Sequence, residues 1–246
     1  MLLTFIIGFS LLGSIGSISL AGLFLLFPEK IRQFLIPCLI SYATGTLLGA
    51  AFLGLIRHAL NHLSASPALT FVLGGIIVFF ILEKVVIWRH CHDKNCNAHG
   101  TAGSLILIGD AFHNFVDGAV IAATFVTSIP LGIATSLAVI SHEIPQEVGD
   151  FAILLESGYQ KGQAFCSNIM SSLSTLIGAV LAYLFLTEIN IVIPYIMAIS
   201  ASSFLYIAIA DLIPTLHHYT TLKHSMIQLA LILGCIGAIS LFHLNH

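Results

Sequence analysis

Charged residues are scarce in this sequence of 246 residues. Asp, Glu, Lys and Arg together make up 8% of it, whereas hydrophobic residues make up 58%. A soluble domain usually contains about 25% charged residues. Because the chain cannot cover a water-facing surface with so few charged side chains, a soluble globular protein is excluded. The mean hydropathy of +1.03 instead predicts a multi-pass membrane protein of the all-α class.

Three further absences narrow the class of protein. The five cysteines show no spacing typical of a disulfide framework. Met1–Phe27 has no basic stretch before its apolar run, which is also too long for a signal peptide, so a first transmembrane helix is predicted. The formal net charge of -3 gives no indication of a nucleic-acid partner. The lipid bilayer is therefore the predicted environment.

Apolar runs recur along the whole chain, and each is long enough to cross a bilayer as a helix of about 20 residues. The sequence predicts a single transmembrane domain over 1–246, with short turns and one polar cytosolic loop at 89–103. The predicted spans are about 2–27, 34–60, 68–88, 104–126, 131–156, 164–186, 191–212 and 226–244.

Positive charges are distributed unevenly among the predicted turns. The cations near odd-numbered turns are Lys30, Arg32, Arg89, Lys94, Lys161 and Lys223. Only Arg57 lies near an even-numbered turn. Cytoplasmic segments carry an excess of Lys and Arg. The asymmetry predicts that the odd turns face the cytoplasm and that both termini are extracytoplasmic. The plasma (inner) membrane is the expected location.

Two neighbouring spans carry polar side chains that membrane helices rarely tolerate. The segments are S-L-I-L-I-G-D-A-F-H-N-F-V-D-G-A-V at 104–120 and S-L-A-V-I-S-H-E-I-P-Q-E-V-G-D-F-A-I-L-L at 136–155. Their polar residues are Asp110, His113, Asn114, Asp117, His142, Glu143, Gln146, Glu147 and Asp150. A charged side chain at the bilayer centre costs about 3 kcal/mol on insertion scales, so these residues indicate a functional site.

Helical spacing places these residues on one seam between the two spans. A helix turns about 100° per residue, so His113 and Asp117 lie one turn apart, and so do His142 and Gln146. Paired ligands from facing helices are a common way to build a metal site in a helical bundle. Imidazole and carboxylate groups suit zinc, iron(II) or manganese(II). The seam therefore predicts a metal site between helices 4 and 5.

Two other interpretations of the seam stay open at this point. The polar residues could form a hydrogen-bonded network that only fixes helix packing. H-E-I-P-Q at 142–146 also resembles the zincin pattern H-E-x-x-H, which would indicate a membrane-embedded hydrolase. That pattern requires a second imidazole where this chain has Gln146. Pro145 removes a helical hydrogen bond, and we expect it to break the helix on which a zincin motif depends.

The same residues resemble the signatures of a known family. H-N-F-V-D-G at 113–118 and H-E-I-P-Q-E-V-G-D at 142–150 resemble the fourth- and fifth-span motifs of the ZIP (Zrt-, Irt-like) metal transporters. Other stretches similar to the family are S-Y-A-T-G-T-L-L-G at 41–49, F-F-I-L-E-K at 79–84 and F-L-Y-I-A-I-A-D-L-I-P at 204–214. The resemblance implies eight spans in a 3+2+3 arrangement, with the metal site between helices 4 and 5.

The resemblance also implies what the protein does. It implies a secondary transporter, not an enzyme, that moves divalent transition metals toward the cytoplasm without hydrolysing ATP. Zinc is the expected ion, with iron(II), manganese(II) or cadmium as alternatives, and no prosthetic group is expected. Relatives also suggest a homodimer. The competing class is a membrane-embedded metal-dependent hydrolase or a metal sensor.

The family's metal centre can be carried over position by position onto the seam. The implied metal-binding residues are His113, Asn114, Asp117, His142, Glu143, Gln146 and Glu147. The first site would combine the two histidines with Asp117 and Gln146. A second, adjacent site would use Asn114 and Glu143, either alone or with Gln146 shared between the two sites. Many members have His or Glu where this chain has Gln146, a weak neutral ligand. One principal site is therefore the expectation for this chain.

Two other groups of histidines lie outside the seam. The loop at 89–103 contains His90, Cys91, His92, Cys96 and His99. This cluster predicts either a site that collects metal on the cytosolic side or an ordinary flexible turn. His58 and His62, near the outer end of span 2, are candidate metal ligands or ordinary interface histidines.

Overall fold

The fold is all helical and agrees with the predicted membrane class. The computed structural model describes residues 1–24, 26–91, 99–188 and 190–244, and no strand occurs among them. The long helical segments are α1 (Leu2–Phe24), α2 (Glu29–His62), α3 (Ala65–Cys91), α4 (His99–Thr127), α5 (Ile129–Glu156), α6 (Lys161–Glu188), α7 (Ile193–Leu216) and α8 (Leu222–Leu244). The prediction of an all-α membrane protein is confirmed.

Seven of these segments are long and apolar enough to cross a membrane by length and composition, within the described part of the chain. Helix α5 has a comparable length of 28 residues, but it contains Glu143, Glu147 and Asp150 in its interior and ends at a fourth acid, Glu156. The acids of the predicted site thus lower the hydropathy of this helix. The count of eight spans and the 3+2+3 arrangement stay predictions.

Several helices, among them α3 and α4, extend beyond the predicted spans. Helix α3 continues to Cys91 and α4 begins at His99, so the polar loop is shorter than the expected 89–103. Polar residues outside the hydrocarbon core of the bilayer can still be helical. A change to polar composition therefore marks the edge of the membrane and not the end of the helix. The predicted His/Cys cluster at 90–99 lies mainly outside the described residues.

Pro145 does not break α5, and the prediction that it would is wrong. The helix runs from Ile129 to Glu156 with Pro145 in its interior. Inside a bundle, neighbouring polar groups and small local adjustments can offset the lost hydrogen bond. Irregular π-helical turns occur elsewhere, at Leu12–Gly16, Ala50–Ile56 and Ile207–Leu212.

Close packing of α4 against α6 fixes the position of the first polar segment. A Cβ atom added at Gly118 would collide with the backbone oxygen of Thr175, and one at Gly178 would collide with the backbone oxygen of Phe115. Ser171 Oγ also donates to Leu107 O at 2.9 Å. The absence of side chains at two crossing points therefore lets the two backbones touch. Gly149 of α5, by contrast, has open space around it.

The hydrophobic core lies beside the polar seam. Beyond the seam, α4 contributes Val120, Ile121 and Phe125 to one buried apolar cluster, together with Met197 and Phe204 of α7. The turn at Ser128 then reverses the chain, and its hydroxyl accepts a hydrogen bond from Leu131 N at 3.3 Å. This short turn makes α4 and α5 antiparallel neighbours, which brings their two polar segments side by side.

Replacement of Gly118 by Ala tests the α4–α6 contact. We expect the substitution to destabilise the protein by about 1–3 kcal/mol, the usual effect of overpacking, because the added methyl group must push the Thr175 backbone away. Thermal unfolding of the purified protein in detergent measures the change. The matched control is Gly109→Ala on the same helix, where an added Cβ has nothing within 4 Å. Equal unfolding temperatures for the two variants would contradict the contact.

Candidate metal centre

Four ligating side chains from α4 and α5 converge at one point of the bundle. His113 and Asp117 of α4 and His142 and Glu143 of α5 each offer an atom, and the four atoms all lie within 4.8 Å of one another. Asp117, His142 and Glu143 are buried, and the side chain of His113 is 15% exposed. We call these four residues the metal-centre cluster.

The spacing inside the cluster matches the coordination shell of a small divalent cation. The two Nε2 atoms lie 3.1 Å apart, and His142 Nε2 lies 3.1 Å from Asp117 Oδ2. Glu143 Oε1 lies 3.7 Å from His113 Nε2 and 3.6 Å from His142 Nε2. A tetrahedral zinc ion with bonds of about 2.0–2.2 Å separates its ligand atoms by about 3.3–3.6 Å. The geometry therefore suits zinc without large movement of the side chains.

The backbone of α5 orients the ring of His142 for metal binding. Its Nδ1 atom lies 3.0 Å from Ala138 O, and a carbonyl oxygen can only accept a hydrogen bond. In the neutral ring Nδ1 therefore carries the proton, and Nε2 presents its lone pair to the cluster. A ligating histidine usually donates its other N–H in this way, which fixes both the tautomer and the ring orientation.

The carboxylates of the cluster are buried without hydrogen-bond donors. Both side-chain oxygens of Asp117 and both of Glu143 lack a hydrogen-bond partner among the described residues, and the same holds for Glu147. A buried charge without a partner is costly in a bundle as it is in a soluble core. The cluster consists mainly of electron-pair donors facing one another, an arrangement that a cation between them stabilises.

Asp110 organises the amides beside the cluster. Its Oδ1 atom accepts hydrogen bonds from Asn114 Nδ2 at 2.9 Å and from Gln146 Nε2 at 3.1 Å. Asn114 Oδ1 in turn accepts a hydrogen bond from Thr175 Oγ1 of α6 at 2.8 Å. With its nitrogen on Asp110, the Gln146 amide has only its oxygen available to a metal ion.

The structure thus places the seven predicted metal-binding residues in three different settings. The two histidines and Asp117 lie together, and Glu143 joins them, although the resemblance placed Glu143 in a second, adjacent site. Metal binding by these residues stays a prediction. Asn114 and Gln146 form hydrogen bonds with Asp110 instead of completing the cluster. Glu147 is buried one turn farther along α5.

Sequence reasoning did not identify three of the groups that position the site. Asp110 was placed on the seam by helical spacing, but its role as an acceptor shared by two amides was not predicted. Thr175 lies 61 residues from its partner Asn114, so no local pattern connects them. Ala138 contributes only its backbone oxygen, which no side-chain motif can show.

Comparisons with known proteins identify relatives along most of the chain. A family model described as ZIP Zinc transporter matches residues 88–243. Zinc transporter ZIP13 of Pongo abelii is 32% identical over 96% of this chain and 78% of its own length. Zinc transporter SLC39A7 of Mus musculus is 27% identical over 94% of this chain and 68% of its own. Zinc transporter ZIP10 of Danio rerio is 38% identical over 51% of this chain, but the match covers only 15% of that relative.

Replacement of Asp110 by Ala tests its role in positioning the amides. We expect zinc affinity to fall by about 10–100-fold, the usual effect of losing an outer-shell partner, because Gln146 and Asn114 lose their common acceptor. Asp110→Asn is the matched variant, since its carbonyl oxygen can still accept both hydrogen bonds, and its loss of affinity should be smaller. Equilibrium binding of zinc to the purified protein measures both changes. Wild-type affinity in Asp110→Ala would contradict the role.

Proposed function

Because this chain belongs to the family of ZIP zinc transporters, we propose that it is a secondary transporter that carries divalent transition-metal ions across the membrane into the cytoplasm. The single observation that carries the proposal is the metal-centre cluster, in which four ligand atoms of two membrane helices lie within 4.8 Å of one another. Zinc is the proposed substrate, and iron(II), manganese(II) and cadmium are the alternatives with similar ligand preferences.

The cluster replaces the water shell of the incoming ion. Two imidazole nitrogens and two carboxylate oxygens supply a complete tetrahedral set, so a zinc ion can lose its water without losing coordination. The two negative charges of Asp117 and Glu143 balance the charge of the ion in a region of low dielectric constant. The bound ion therefore removes the cost of burying the carboxylates, and the carboxylates remove the cost of burying the ion.

The proposed metal-binding set includes the residues next to the cluster. Glu147 and Asp150 interact electrostatically with Asp110, so acidic groups continue along α5 beyond the cluster. We assign Glu147 to the path that a released ion follows. The oxygens of Asn114 and Gln146 are proposed as weaker ligands during this transfer, because neutral amide oxygens bind zinc less tightly than carboxylates.

The direction of transport is the one that the family resemblance implies, and the orientation of the chain in the membrane rests on the distribution of positive charge. The excess of Lys and Arg near the odd turns supports extracytoplasmic termini and a cytoplasmic position for the turn between α5 and α6. The acids of α5 then extend from the cluster toward the cytoplasmic side. A plasma (inner) membrane location is part of the proposal, and the homodimer suggested by relatives stays a prediction.

The hydrolase alternative has less support from the geometry. Catalytic zinc sites keep one coordination position for water, with three protein ligands. Four protein atoms at tetrahedral spacing leave no such position in this arrangement. Gln146, which stands where a zincin motif needs its second histidine, donates to Asp110.

Zinc uptake into reconstituted vesicles tests the proposal. We expect vesicles that contain the wild-type protein to accumulate zinc, and we expect His142→Ala to abolish uptake, because the ion loses one of its two imidazole ligands. The control is His224→Ala, which removes a half-buried histidine at the start of α8, whose described side-chain hydrogen bond is to the nearby Thr221. Size-exclusion chromatography establishes that each variant is folded. Wild-type vesicles that bind zinc but never accumulate it would refute the proposal.

A further inference from the structure

A second group of metal-ligating side chains lies far from the metal-centre cluster. His58 and His62 are one helical turn apart near the end of α2, and their ring centroids lie 4.5 Å apart with the planes at 43°. His58 is partly buried and His62 is exposed. Two histidines at i and i+4 on one helix face are an arrangement that binds zinc in proteins. The rings are already close enough to share one ion.

Both rings line a cavity between the ends of three helices. The cavity has a volume of about 670 Å³, and its other polar lining residues are Thr127 at the end of α4 and Tyr195 near the start of α7. No Asp or Glu is among the described residues that line it. A cavity of this size admits hydrated metal ions to the histidines. Calcium and magnesium prefer oxygen ligands, and the described lining offers them no carboxylate.

The cavity and the metal-centre cluster are separate sites. Thr127 lies 14 residues after His113 on the same helix, which corresponds to about 21 Å along the helix axis. The buried apolar residues of the core, among them Ile121 and Met197, occupy the α4 and α7 segments between the two levels. By the predicted orientation, the cavity opens on the extracytoplasmic side, from which the metal enters.

We propose that His58 and His62 form a capture site for transition-metal ions on the extracytoplasmic side. Two imidazoles with water in the remaining positions bind such ions more weakly than four protein ligands, so a captured ion can leave again for the metal centre. Imidazole selects zinc-like ions over magnesium and calcium, which prefer oxygen. The site thus raises the local concentration of the right ion at the entrance. This proposal rests on the proposed function, because it gives the pair a role in uptake.

The uptake experiment compares two double variants. We expect His58→Gln with His62→Gln to raise the KM for zinc about ten-fold, the change produced by about 1.4 kcal/mol of lost binding free energy, and to leave the maximal rate within about two-fold. Gln keeps a polar, helix-compatible side chain at both positions. The matched control is His217→Gln with His218→Gln, which removes two adjacent histidines at the opposite end of the bundle and should leave KM unchanged.

A binding experiment separates failure of this proposal from failure of the proposed function. Equilibrium dialysis with radioactive zinc on the purified full chain should show one weakly bound ion fewer in the His58/His62 double variant than in the control variant. The single variant His62→Gln changes only an exposed side chain, and it should give the same loss if the double variant does not fold. An unchanged KM, a lower maximal rate at constant KM, or unchanged zinc stoichiometry would overturn the capture site. If the wild type shows no uptake but the weakly bound zinc ion is still detected by dialysis, the proposed function and the role of the pair in uptake are refuted, and zinc binding by the pair is not.

Discussion

The central constraint on this structure is that four metal-ligating side chains are held close together inside a membrane bundle. Two carboxylates and two imidazoles meet with nitrogen–nitrogen and nitrogen–oxygen distances of 3.1 to 3.7 Å. Neither carboxylate accepts a hydrogen bond from a described residue. In a medium of low dielectric constant such a group of atoms is unfavourable by itself, and a divalent cation at its centre reverses the sign of the interaction.

The surrounding helices serve to keep these atoms close. Helix α4 is fixed against α6 at glycine contacts, and it is joined to α5 by a turn whose Ser128 caps the second helix. His142 is oriented by Ala138 O, and Asp110 holds the neighbouring amides. A site can recognise the coordination geometry of an ion only if its ligands are held with little freedom to rotate. The rigid packing of the helices is therefore required for metal recognition by the cluster.

Much of this architecture could be predicted from the sequence, because composition and helical spacing are strong signals in membrane proteins. Hydropathy gave the membrane class, and the i and i+4 spacing of His113 and Asp117 placed them on one face. Helical spacing also placed Glu143 on the seam, but its membership of the same cluster as the two histidines could not be predicted in this way. Glu143 follows His142 directly, so its side chain starts about 100° away from that of His142 around the helix axis. Its length allows the carboxylate oxygen to reach the cluster. The effect of Pro145 was overestimated, because a local rule does not account for support from a bundle.

Anomalous X-ray scattering at the zinc edge, from crystals of the protein grown with zinc, is the most direct measurement. The account predicts a strong peak within bonding distance of His113, Asp117, His142 and Glu143, between α4 and α5. A zinc peak located elsewhere with the cluster empty, or a structure in which the two histidines point to opposite sides without a shared centre, would contradict it.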